Sequence, residues 1–284
     1  MSEWRLLFFS IILSLQCELL WAQKSATYTP EELHRHFQNE AESYEILAKG
    51  ATKPFELKPK PLMHWQNTVR QQEQGAMYVW FDGELPAVLA SIFTYEYGGT
   101  VYCKHECISI SEKPFSAKLG NTPVWAPKTA GASWKSIDDA GQPADSLPRR
   151  LTQMRSIARH FSGKVTNPEG EATKLELLPQ PLIRFQAPQQ NVIDGAIFSL
   201  AVVTDPELLV MIEAFKEKEK IEWRYCALRS HHWQVDLARN DAPVWTAPLK
   251  FELQSAVYNQ APNASEPYFS FKPPVAIPAP EQLR

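Results

Sequence analysis

The chain has only 11 glycines in 284 residues, and they form no phosphate-cradling loop and no dinucleotide fingerprint. Their absence argues against the nucleotide-binding α/β folds, which need such loops to bring backbone close to phosphate. No basic stretch occurs and the net charge is −3, so the electrostatic footprint of a nucleic-acid binder is missing. Beyond the N-terminal leader, no apolar run approaches the roughly 20 residues that span a bilayer as a helix. Four cysteines, one of them in the leader, leave an odd number and exclude a disulfide scaffold. A nucleophile elbow, a zinc-protease helix motif and a calcium loop are absent as well. No cofactor is expected, and no partner can be named.

What is present begins with a leader. Arg5 supplies a charged start, Leu6 to Leu15 an apolar stretch, and Leu20-Trp21-Ala22 a cleavage site. Residues 1–22 therefore read as a signal peptide, which predicts export to the periplasm or the extracellular space. Proline is abundant, with 23 residues, as expected of strands bounded by Pro-rich turns.

The chain then says nearly the same thing twice. Glu56-Leu57-x-Pro59-x-Pro61-Leu62-x-x-Trp65-Gln66 returns as Glu176-Leu177-x-Pro179-x-Pro181-Leu182-x-x-Phe185-Gln186. Gly75-Ala76 matches Gly195-Ala196, and Pro123-Val124-Trp125 matches Pro243-Val244-Trp245, all at an offset of 120. Aligned without a gap, 55–125 and 175–245 share 14 identities in 71 positions, where chance would give roughly four. The expected fold is α+β, a tandem duplication in which each copy is a helix followed by a four- or five-stranded antiparallel sheet. The boundaries are 23–128 for the first repeat, 129–145 for a linker, 146–250 for the second repeat and 251–284 for a Pro-rich tail.

Thr29-Pro30-Glu31-Glu32 carries a capping box, and Leu33, Phe37, Ala41, Tyr44 and Leu47 continue as one apolar stripe. Pro148 opens the second helix, with Leu151, Met154, Ala158 and Phe161 as its stripe and Gly163 placed to end it. Arg149, Arg150, Arg155 and Arg159 read as a solvated face of that helix. Residues 207–215 score as helix on propensity, but their counterpart around Pro86 to Tyr95 reads as strand. A strand paired with 195–203 is therefore expected.

Few residues suggest chemistry. Cys103, His105 and Cys107 share one face of a strand and are the candidates for a metal site. At about 13 Å apart on an extended strand, the two cysteines are too distant for one ion, so packed, free thiols are expected, Cys226 included. Trp125 and Trp245 fall in the same local motif and are expected to be buried. Trp80, Trp134 and Trp233 have no tryptophan partner at the 120 offset and are the candidates for a ligand surface. The adjacent His231 and His232 would point to opposite faces of a strand.

Taken together, the Pro-Leu-x-x-Trp motif, Gly75-Ala-Met-Tyr-Val-Trp-Phe-Asp-Gly83, Leu151-Thr-Gln-Met-Arg-Ser-Ile-Ala-Arg-His-Phe161, Leu178-Pro-Gln-Pro-Leu182 and Asp194-Gly-Ala-Ile-Phe198 resemble a family of exported proteins of planctomycete-type bacteria, one without an established activity. The resemblance runs from about residue 53 to residue 248. It implies export and carries over no catalytic residue. The leading expectation is an exported protein with a non-catalytic binding or structural role. The alternatives are a hydrolase or isomerase with a site at the repeat junction, and a carrier of an apolar ligand.

Overall fold

The computed structural model describes residues 28–70, 73–97, 99–249, 264–271, 276–278 and 282. The expected signal peptide lies outside the described residues. Helix α1, Pro30–Glu42, starts at the capping box: the Thr29 hydroxyl accepts from the Glu32 amide, and the Glu32 carboxylate accepts from the Thr29 amide. It ends before Tyr44, so the stripe predicted to run through Tyr44 and Leu47 continues instead as strand β1, Tyr44–Ala48.

Seven strands follow: β2 (Glu56–Leu57), β3 (Met63–Asn67), β4 (Glu73–Asp82), β5 (Leu85–Tyr97), β6 (Thr100–Ser109), β7 (Phe115–Leu119) and β8 (Thr122–Trp125). The second half contains β9 (Lys135–Ser136), helix α2 (Leu147–Ala158), β10 (Phe161–Thr166), β11 (Ala172–Leu177), β12 (Ile183–Ala187), β13 (Val192–Val202), β14 (Asp205–Glu217), β15 (Lys220–Arg229), β16 (Gln234–Arg239) and β17 (Ala242–Ala247). Strand β18, Tyr268–Phe271, comes last. Residues 207–215 are strand, paired with β13 as expected from their counterpart rather than from propensity.

The α+β expectation is overturned. Among the described residues strands account for 54% and helices for 13%, and the sheets are larger than four or five strands. One has nine strands in the order β17-β16-β10-β11-β13-β14-β15-β9, with β12 also on β13. Another has six, β18-β6-β5-β4-β2 with β3 on β4, and a third has three, β1-β7-β8. The molecule is a mostly-β protein of curled antiparallel sheets.

The reason lies in the long central strands, which are apolar on both faces. Ala76, Tyr78 and Trp80 turn toward α1, while Met77 and Val79 turn the other way. In β14, Leu208, Val210 and Ile212 join the α2 core, and Leu209 and Met211 the opposite one. A strand buried on both faces needs two covers. A helix fills one side of each sheet, and the two sheets fill the other side for each other. Registers do recur at the offset of 120: Gly75 pairs with Phe93 and Gly195 with Glu213, with bulges at Trp80/Phe81 and Leu200/Ala201.

Neither the linker nor the tail is a mere connector. Ile137, within the expected linker, is buried in the second core, and β9 pairs with β15. Within the expected tail, β18 pairs with β6, Ala264 bridges to Trp125, and Ile277 enters the first core. Three further expectations change. Gly163 sits inside β10 rather than ending α2. Arg150 is buried on Asp194 instead of solvated, because the neighbouring Arg184 and the carbonyls of Ala144 and Asp145 complete an ion cluster there. Trp245 is half-buried, unlike Trp125.

Candidate functional site

The layer between the two sheets has an apolar centre and two polar ends. At one end, β3 and the turn after it meet β14. Asn67 donates to the Asp205 carboxylate at 3.0 Å, and Arg70 bonds Glu207 at 2.6 Å. Thr204 exchanges hydrogen bonds with the Gln66 backbone. Across the layer, Lys104 pairs with Glu106 at 2.8 Å, both side chains being buried. Burial drives the Asp205 carboxyl up to about 7, and burial together with Asp205 drives Glu207 well above the ordinary carboxylate range. Burial also opposes ionisation of Glu106, but Lys104 and His232 outweigh it and hold that carboxyl near 2.

The loop after β15 brings His231 and His232 to this end. Their rings stack at 4.4 Å instead of pointing to opposite faces, because the two residues lie in a bend rather than a strand. His231 Nδ1 accepts from the Trp233 amide at 3.1 Å, which places the neutral ring's proton on Nε2. The same nitrogen is 3.8 Å from Glu207, and His232 Nδ1 is 3.9 Å from Glu106, both beyond hydrogen-bond reach. Trp233 is half-buried under the Arg70 guanidinium, 4.5 Å from the ring centroid.

The other end is hollow. A cavity of about 260 Å³ opens between the sheets, with Leu85, Ile110, Val192 and Met211 as apolar walls. Its polar wall carries two ion pairs: Lys113 bonds Asp82 at 2.7 Å, and Arg224 donates to Glu213 Oε2 from Nε at 2.9 Å and from Nη2 at 2.7 Å. The guanidinium is held between two aromatic rings, 4.0 Å from Trp134 and 3.5 Å from Phe215. Burial raises the Glu213 carboxyl to about 7 even though Arg224 opposes the shift. Trp134, one of the three predicted surface tryptophans, also donates to Glu112 at the cavity edge.

The other sequence candidates are dispersed. Trp80 is buried in the first core against Tyr44 and is not part of any surface. Cys103, His105 and Cys107 lie under α1, and all three described cysteines are free and buried. His105 Nδ1 meets the Tyr44 hydroxyl at 2.8 Å, while Nε2 lies 3.6 Å from Cys103 and 3.5 Å from Glu40. Burial lowers the imidazole to about 3, so it is neutral. Among the described residues no group of three or more His, Cys, Asp or Glu is arranged to hold a metal ion. No helix among them is long and apolar enough to cross a membrane.

Sequence reasoning missed Asp205, Glu207, Glu213, Arg224 and Lys104. A signal was present: the charges Asp205, Glu207 and Glu213 interrupt the otherwise apolar stretch 205–215 of β14. No protein-family model, no curated protein and no solved structure matches the chain.

Proposed function

We propose that the protein is an exported, non-catalytic binding protein that holds a small, largely apolar ligand in the cavity between its two sheets. The observation that carries this reading is the asymmetry of the inter-sheet layer. One end is filled by paired charges, while the other keeps a hollow of about 260 Å³ with apolar walls and two ion pairs, Arg224–Glu213 and Lys113–Asp82. Ligand sites are concave and mostly apolar, with few polar groups to fix orientation. Arg224, immobilised between Trp134 and Phe215, is such a group, because it is already ordered before a ligand arrives. Export rests on the leader and on the family resemblance.

The hydrolase or isomerase reading draws on the carboxyls Asp205 and Glu207, whose acidity burial weakens. Their ties to Asn67 and Arg70, and histidines too far away to exchange a proton with them, favour a structural role.

Titration with an anilinonaphthalene sulfonate probe tests the binding reading. Saturable binding is expected, weakened at least about tenfold when Met211→Trp fills the hollow. Equal affinity of the wild type and a folded Met211→Trp variant would overturn it.

A further inference from the structure

We propose that a second cavity, beside Trp245, binds a single-ring aromatic molecule bearing a hydrogen-bond acceptor. The argument comes from two tryptophans in the same local setting with different cover. Trp125 pairs with Ala117 and Trp245 with Leu237, and each strand pair has a register shift immediately after that position. Trp125 is nonetheless 2% exposed, while Trp245 is half-buried and lines a cavity of about 180 Å³.

What covers Trp125 is visible. Strand β18 sets Phe269 opposite Cys107, and the Phe269 ring stacks on the indole at 6.2 Å and 24°. The Glu266 carbonyl accepts the indole N–H at 2.7 Å. The corresponding edge of the other sheet is β15, which carries β9 with Tyr225 opposite Lys135 and Arg224 opposite Ser136. Strand β9 goes no further, and Ser133 lies two residues before it, beside Ala227, the position 120 residues after Cys107. Beside Trp245 the chain thus offers the Ser133 hydroxymethyl group, whereas β18 offers Trp125 the Phe269 ring. Both Ser133 and Ala227 line the cavity, as the missing ring requires.

The hollow has the size and lining for such a ring. A cavity of about 150 Å³ with apolar walls accommodates benzene. Ile108, Leu228 and Pro267 supply apolar walls here, and Trp245 supplies a flat face. Among the described residues the Trp245 indole N–H has no hydrogen-bond partner, whereas that of Trp125 is satisfied by Glu266. An occupant that reproduces the first sheet's arrangement therefore needs both a ring to stack and an oxygen to accept. Ser133 is exposed, which leaves a way in.

Phenol is the probe. In the free protein, acrylamide should quench Trp245, identified by difference from Trp245→Phe, and phenol should protect it saturably. Ser133→Phe should supply the missing ring from the chain itself, shield Trp245 without ligand and weaken phenol binding at least about tenfold. Trp245→Leu, a change at a half-buried site, should weaken phenol binding to a similar degree by calorimetry, and serves if Ser133→Phe does not fold. The readout at Trp245 separates this site from the inter-sheet cavity, which Trp245 does not line. Trp245 shielded in the free wild type would overturn the proposal, because the hollow would already be filled by the chain. Unaltered phenol affinity in either cavity variant would overturn it as well.

Discussion

The Phe185 ring packs against Gly195: a Cβ built on the glycine would stand 2.5 Å from Phe185 Cζ. The first sheet repeats this contact, with Trp65 Cε2 at 2.7 Å from a Cβ on Gly75. The aromatic residue of the Pro-Leu-x-x-aromatic motif and the glycine ten residues on are thus one packing unit. Gly195→Ala should destabilise by roughly 1–3 kcal/mol, since the ring must move in a filled layer. Adding Phe185→Leu should return part of that loss. Urea unfolding of both variants measures it, and strict additivity of the two losses would refute the contact.

Asp194 is fully buried, with Arg150 and Arg184 both bonded to its carboxylate. Arg150 also reaches the carbonyls of Ala144 and Asp145, so the cluster ties the start of α2 to β12 and β13. Asp194→Ala should cost about 3 kcal/mol, because Arg150 would remain buried without its counter-charge. A loss well under 1 kcal/mol in denaturant unfolding would mean that water replaces the carboxylate.

Val203, at the β13–β14 turn, has φ 57, whereas the matching turn in the first half has Gly83 at φ 66. A β-branched residue is strained in this left-handed region, and the exposed side chain gains little in return. Val203→Asn should therefore raise stability by roughly 0.5–1 kcal/mol. A lower melting temperature in calorimetry would show that Val203 contributes packing that offsets its strain.

Glu213 has a folded-state pKa of about 7, raised mainly by burial. Its unfolded value is about 4.3. Between these values the folded chain holds a proton that the unfolded chain releases, so this group lowers stability as pH rises from about 4.3 to 7. His105, lowered to about 3, and His232, lowered to about 4, act oppositely: their contribution is complete above about 6.5 and is lost on acidification. The whole-protein profile therefore mixes signs, but the difference between wild type and Glu213→Gln does not. That difference should shift in favour of the variant by roughly 1–3 kcal/mol from pH 4.5 to 7. A pH-independent difference would show that Arg224 keeps Glu213 ionised throughout.

By itself the sequence determined the local pieces. The capping box set the start of α1, and Pro148 lies in the first turn of α2. The match at offset 120 placed β14 as a strand against its own helix propensity, because backbone pairing with β13 outweighs intrinsic preference. The same match contained the aromatic–glycine contact, although the reason for it became visible only in three dimensions.

Only the tertiary structure decided which faces meet. The expected pairs of one helix and one small sheet do not form, because the two large sheets cover one another. Arg70–Glu207 and Asn67–Asp205 join residues 137 and 138 positions apart, and no local pattern specifies such pairs. Whether a charge is solvated, as expected for Arg150, or buried on a partner depends on what packs above it. The two cavities follow from the same cause: Met211 and Trp245 look like ordinary strand residues in sequence, and the space beside each is set by how distant segments close over the sheets.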